Sequence, residues 1–166
     1  MSQIRIAQPV DLESIVNIYN FAVRSGFETA DTRELQWPKR ISWFKSHDPD
    51  SYPIFIYEED GVIAGWISIS PYRPGRQALR YTVEISYYVH PDFKRKGFGS
   101  KLVIHAISEA KKRKFKSLFA ITLDRNDASI QLLLKHGFSQ WGHLPNIADF
   151  DGKECGQVYY GLRILK

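Results

Sequence analysis

The segment from Tyr81 to Leu102, YTVEISYYVHPDFKRKGFGSKL, joins a β-type run carrying a single carboxylate, Glu84, to a short basic, glycine-containing turn and then to the start of an apolar-periodic helix. That order limits what the chain can be, because a strand, a tight loop and a helix N-terminus together make an anion-binding unit. Gly97 and Gly99 let the backbone turn sharply and approach a ligand, and the first turn of the helix offers N–H groups with no intrahelical acceptor. Lys94, Arg95 and Lys96 place positive charge just before it. Two common glycine-loop readings are excluded. A dinucleotide fingerprint requires a third glycine after Gly99, and a nucleoside-triphosphate loop requires Gly-Lys-Ser/Thr where this chain has Gly99-Ser100-Lys101. The unit is suited to phosphate of another kind.

Around this unit the periodicities alternate between strand and helix. Ile4 to Ala7 reads as a short strand, and Asp11 is predicted to cap a helix whose apolar stripe is Leu12, Ile15, Val16, Tyr19, Ala22 and Val23, ending before Gly26. A second helix is predicted from near Pro38, with Ile41 and Phe44 inward. Ile54 to Tyr57 and Val62 to Ser70 are strands about the hairpin turn Asp60-Gly61, and Tyr81 to Val89 extends the same antiparallel sheet. After the glycine loop, Leu102, Val103, Ala106, Ile107 and Ala110 repeat at helical spacing, and Leu118 to Leu123 is a buried strand. A helix from about Asp127 to His136 stops at Gly137. Phe138 to Trp141 and Gln157 to Ile164 are the last two strands, separated by a polar, glycine-containing loop. The pattern is α/β with a mixed sheet.

With 166 residues and 43% hydrophobic content, the chain is long enough for one core, so residues 1–166 are expected to form a single domain without linker or repeat. Apolar runs such as Val62 to Ile69 fall far short of the roughly 20 residues that span a membrane, which points to a soluble, cytoplasmic protein with no membrane partner. Cys155 stands alone and the five histidines follow no ligand spacing, so no metal is expected. The formal charge of +5 does not argue for nucleic acid: the run Lys111 to Lys114 falls where a helix ends and complements its C-terminal dipole, and no nucleic-acid motif is present.

The basic-x-x-Gly-x-Gly loop Lys94-Arg95-Lys96-Gly97-Phe98-Gly99, following a strand that ends in Val89-His90-Pro91, resembles the acyl-CoA pyrophosphate loop of the GNAT acetyltransferase superfamily. Asn126-Asp127-Ala128-Ser129 and Lys135-His136-Gly137-Phe138 follow in that superfamily's order. Tyr72-Arg73-Pro74 and Arg80-Tyr81-Thr82-Val83-Glu84 resemble the branch of phosphinothricin N-acetyltransferases and methionine sulfoximine acetyltransferases, and the likeness runs from Ile4-Arg5-Ile6-Ala7 to Leu162. The resemblance implies a mixed, mostly antiparallel central sheet splayed between its fourth and fifth strands, about four flanking helices, acetyl-CoA as acetyl donor with its pantetheine arm in the gap, and a homodimer. It implies cofactor contacts from Tyr87, Tyr88 and Val89, from Lys94, Arg95, Lys96, Gly97, Phe98, Gly99 and Ser100, and from Asn126 and Ser129. A helix-capping role explains Asn126 or Asp127 equally well.

Strand alternation puts Thr82, Glu84, Ser86 and Tyr88 on one face. By that argument alone Glu84 is either a solvent-facing residue of a half-exposed strand or a carboxylate of the site. The resemblance implies the second, with Glu84 as general base taking a proton from the acceptor amine, directly or through water. An α-amino group with pKa about 7.7 to 8.0 needs little help to lose its proton, whereas a lysine amine at about 10.4 costs roughly 3 kcal/mol more at ~1.4 kcal/mol per unit. A small amino-acid-like amine is the easier acceptor, ahead of a peptide, protein or polyamine amine and of a non-catalytic CoA-binding regulator. The developing oxyanion needs a backbone N–H, expected from Tyr87 to Val89. Tyr72, Arg73, Arg80 and Thr82 join Glu84 as acceptor-binding candidates, Arg73 first, because a guanidinium forks onto a carboxylate. Phe27, Trp37 and Tyr72 are candidates for a wall of that pocket. One departure stands out: the wider superfamily often has a tyrosine, and this branch often a histidine, four residues before the glycine of the last helix, where this chain has Leu133.

Overall fold

A computed structural model describes residues 1–166. Seven strands form one sheet in the order β1-β2-β3-β4-β5-β7-β6. They are β1 (Ser2–Ile6), β2 (Ile54–Glu59), β3 (Val62–Pro71), β4 (Thr82–Val89), β5 (Ser117–Leu123), β6 (Ser139–Phe150) and β7 (Lys153–Arg163). The helices are α1 (Leu12–Ser25), α2 (Ile41–Lys45), α3 (Phe98–Lys112) and α4 (Asp127–Lys135). All neighbouring strands are antiparallel except β4 and β5. No helix is long and apolar enough to cross a membrane.

Alternation along the strands divides the apolar residues between two covers. On one face Ile67, Ile69, Val83, Ile85 and Leu118 meet the stripe Leu102, Val103, Ala106 and Ala110 of α3, together with Leu133 and Phe138. On the other, Ile54, Ile56 and Trp66 meet Ile15 and Ile18 of α1, and the Trp66 indole donates to the Ile15 carbonyl at 3.0 Å. The hairpin at Asp60-Gly61 has positive φ at both residues, 48° and 81°, the tight turn whose twist suits antiparallel strands.

Three expectations are corrected. Asp11 stands at the start of α1 without capping it: its carboxylate takes the Gln8 N–H at 2.7 Å and both terminal nitrogens of Arg5, at 2.7 and 3.0 Å. A forked guanidinium outcompetes a helix N–H for the same oxygens. Ile41 is 37% exposed, and Trp43 with Phe44 packs inward instead, because Trp37 to Arg40 forms a separate 3-10 turn that changes the phase of the helix. The stretch read as a polar loop between the last strands is itself paired. β6 and β7 run on to a turn at Asp151-Gly152, and shifts in register at Gln140/Gly142 and Leu144/Ala148 absorb the irregular residues.

The sheet parts in the middle. β4 and β5 pair only over Thr82–Glu84 against Ser117–Phe119, after which β5 follows β7 while β4 stays on β3. Pairing of β3 with β4 is regular from Pro71/Val83 to Gly65/Val89, so no bulge interrupts β4. The bonds from Tyr72 N–H to the Thr82 carbonyl and from His90 N–H to the Ala64 carbonyl place the even-numbered backbone groups of β4 on β3. The N–H groups of Tyr87 and Val89 therefore face the side from which β5 has departed.

Candidate active site

The loop leading into α3 takes its shape from two left-handed residues, Arg95 at φ 62° and Gly97 at φ 82°. Gly97 is the N-cap and supplies no side chain, and the Lys101 N–H is bonded back to the Gly97 carbonyl at 3.1 Å. The N–H groups of Phe98, Gly99 and Ser100 are thus left for an anion, with the positive end of a 15-residue helix behind them. Gly99 is closely packed. A Cβ there would stand 3.1 Å from a Leu132 methyl, so α4 lies against this turn.

From this turn a groove of about 700 Å³ runs along the open edge of β4 to the start of α4. Its walls include Tyr87, Tyr88, Val89, Lys94, Arg95, Gly97, Phe98, Gly99, Ser100, Asn126 and Ser129, which brings together all the expected cofactor residues but Lys96. The Lys96 ammonium lies over the Phe93 ring instead, 5.4 Å from its centre. Glu28, Phe93, Ala128, Leu132 and Lys135 complete the walls and were not anticipated. Leu132 and Lys135 follow Ser129 at helical spacing and could have been found from it. Glu28 comes from the loop after α1 and had no signal in the sequence. It pairs with Lys94 at 2.7 Å.

Hydrogen bonds order the two ends of the groove. At the α3 end the Ser100 hydroxyl meets Nε2 of His136 at 2.8 Å, and burial, with Lys135 nearby, lowers the pKa of that imidazole. At the other end Asn126 caps α4 by accepting the Ser129 N–H at 3.2 Å, and the Ser129 hydroxyl lies 2.6 Å from the Tyr87 hydroxyl. Burial pushes Tyr87 and Tyr88 up to about 12 each. Their side chains leave opposite faces of β4: Tyr87 packs on the α3 core, Tyr88 against Trp66 and Tyr19.

Glu84 lies on the Tyr88 face, level with Ser70 of β3 and Phe119 of β5, in the last pair before β4 and β5 part. It belongs to neither the groove walls nor the second cavity. Burial alone raises its carboxyl above the ordinary range. The second cavity, about 200 Å³, is walled by Tyr72, Arg73, Arg76, Arg80 and Thr82 among others. Thr82 and Glu84 are two residues apart on one face, and Tyr72 stacks on Phe119, 4.7 Å between ring centres. The arginine ion pairs of this chain are those of Arg5, Arg24 and Arg113, so the three guanidiniums here are not neutralised. Phe27 and Trp37 are elsewhere. Phe27 packs on Phe150 at the hairpin tip, and Trp37 is 42% exposed.

A helix N-terminus without a side-chain cap, a sheet with an open middle edge and a half-buried carboxylate at the fork are the features of an acyl-CoA-dependent acyltransferase. The residues present suit that cosubstrate, since unpaired N–H groups stand at both the helix turn and the strand edge. The Acetyltransferase (GNAT) family profile matches residues 12–138, and the chain belongs to that family. It is 39% identical over 163 residues to YwnH of Bacillus subtilis, which carries the provisional name phosphinothricin acetyltransferase, covering 98% of this chain and 96% of that one. It is 34% identical over 161 residues to the L-methionine sulfoximine/L-methionine sulfone acetyltransferase of Salmonella typhimurium, covering 97% and 94%. Among solved structures, yncA from Salmonella typhimurium with its cofactor acetyl-CoA superimposes with a TM-score of 0.90 at 31% identity, covering 98% and 94%. The protein is an acetyl-CoA-dependent N-acetyltransferase.

Proposed function

We propose that this enzyme acetylates the α-amino group of a small amino-acid-like acceptor of the phosphinothricin or methionine sulfoximine type, with Glu84 as general base. The observation that carries the reading is the position of Glu84: a half-buried, uncompensated carboxylate at the fork of the sheet, one step along the strand face from a cavity holding three unneutralised guanidiniums. An amino acid would then set its amine toward Glu84 and its carboxylate toward Arg73, whose guanidinium rests on the Tyr72 ring, 5.6 Å from its centre. Arg80 is tied back to the Gln77 carbonyl at 2.8 Å and serves the cavity as charge.

Acetyl-CoA supplies an acetyl group activated as a thioester. The chain holds it through the N–H groups of Phe98, Gly99 and Ser100, and offers the N–H groups of Tyr87 and Val89 to a carbonyl oxygen gaining charge. A carboxyl whose pKa burial raises is a stronger base, when ionised, than a solvated one. The test is thiol release from acetyl-CoA with methionine sulfoximine, phosphinothricin, free amino acids, polyamines and a lysine peptide. Selective turnover of the amino-acid analogues is expected, and Glu84→Gln is expected to lower kcat by roughly 100-fold or more with acetyl-CoA affinity unchanged. Preference for the peptide or polyamine would overturn the acceptor assignment, and an unchanged kcat would remove Glu84 as the base.

A further inference from the structure

Transfer of acetyl from a thioester to an amine forms one C–N bond and breaks one C–S bond. The amine's proton leaves to a base, and the electron pair of the broken bond goes to sulfur. Glu84 answers the first need and nothing described so far answers the second. A thiol with pKa about 8.5 leaves as thiolate at a cost near pH 7, and a hydrogen-bond donor to the sulfur lowers that cost.

The hydroxyl donors that line the groove are those of Tyr87, Tyr88, Ser100 and Ser129. Leu133, one turn beyond Ser129 on α4, is fully buried in the core and brings no polar atom. The Ser100 hydroxyl is at the α3 end, engaged with His136. Tyr88 projects from the same face as Glu84, among Trp66 and Tyr19. Tyr87 differs from all of these. It stands three residues after Glu84 on an unbulged strand, hence on the opposite face, and lines the groove at the edge that β5 has left open. Its ring is fixed against the α3 core and its hydroxyl is 2.6 Å from that of Ser129. Ser129 is itself held by Asn126 and can donate to the phenol oxygen, which leaves the Tyr87 O–H free for the groove.

We propose that Tyr87 is a catalytic residue that donates a hydrogen bond to the departing sulfur, with Ser129 positioning its hydroxyl, so that base and leaving-group donor stand on opposite faces of one strand. The inference rests on the acetyl transfer through the β4–β5 gap described above. No proton changes hands at Tyr87: the thiolate is stabilised in place and takes its proton from solvent on release. Burial favours this division, because a phenol pushed up to about 12 stays protonated throughout the working range.

Tyr87→Phe keeps the ring and removes the hydroxyl. With an acceptor that the wild type turns over, it is expected to lower kcat about 10- to 100-fold while KM for acetyl-CoA stays within about twofold, and Ser129→Ala to move kcat the same way by less. A second readout needs no acceptor: the thiolate absorbance of CoA bound to the full chain, titrated with pH. The bound thiol is expected to ionise at lower pH in the wild type than in Tyr87→Phe, since a donor to sulfur favours the thiolate. An unchanged kcat, a loss confined to KM, or identical thiol titrations in the two proteins would each overturn the assignment. Failure of the acceptor reading shows differently, as a wild type inactive on every amino acid, and the CoA titration still decides the role of Tyr87.

Discussion

Glu84 carries its burial as a cost to the fold. Its carboxyl binds a proton more tightly in the folded chain than in the unfolded one, so between the ordinary carboxylate pKa and the raised value the folded state holds more protons, and stability falls as pH rises through that interval. The deficit is complete above it. Glu84→Gln is therefore expected to melt higher than the wild type at about pH 7.5 and to lose that advantage below about pH 4, where both side chains are neutral. Melting curves at the two pH values check this; a variant no more stable at the higher pH would show that burial costs Glu84 nothing. At this scale the sequence was legible wherever chemistry contrasts with its surroundings. One carboxylate in an apolar, aromatic run is visible, and so is a glycine pair after a basic triplet. The separation of Lys94 from Lys96 was not legible, because it depends on Arg95 adopting a left-handed backbone that arginine seldom takes. Nor was the pairing of Tyr87 with Ser129, which joins residues 42 apart.

Elements were read best where one periodicity runs unbroken. The stripe of α3 and the hairpin at Asp60-Gly61 were both recognisable, the first from its apolar spacing and the second from its turn residues. The hairpin of β6 and β7 was not, for a physical reason. β6 is the edge of the sheet and mostly exposed, so it needs no apolar alternation, and Pro145 within it is tolerated where no outer neighbour demands its missing N–H. The signal available was Asp151-Gly152, the same dipeptide as at the first hairpin. Packing between elements also decides how the anion site responds to change. Gly97 has open space around its absent Cβ and suffers only from its backbone angle, whereas a Cβ at Gly99 would crowd a Leu132 methyl at 3.1 Å, and a larger branched side chain would press further into α4. Gly99→Val is expected to weaken acetyl-CoA binding about tenfold or more, measured by calorimetry, and unaltered affinity would place the phosphate site elsewhere.

Across the whole molecule, the loop between α1 and α2 connects parts that the sheet keeps apart. It is tied to α1 by the Asn20 side chain, which both donates to and accepts from the Leu35 backbone at 2.8 Å, and Glu28 then reaches the pyrophosphate loop at Lys94. On the expectation that Lys94 serves the phosphates of the cosubstrate, this carboxylate competes for its charge. Glu28→Gln is expected to tighten acetyl-CoA binding about two- to fivefold, a small gain because both partners are partly solvated and screened. Weaker binding in that variant would mean that Glu28 orders the loop rather than competing with the ligand. The sheet itself has a mechanical consequence. Only three rungs, Thr82 to Glu84 against Ser117 to Phe119, bind its two halves edge to edge, and Glu84 is the rung next to the tear. A flexure that widens the cleft to admit a long thioester concentrates at that rung, as stress gathers at the tip of a crack, so the carboxylate proposed above as the base would also be the first to register how far the molecule has opened.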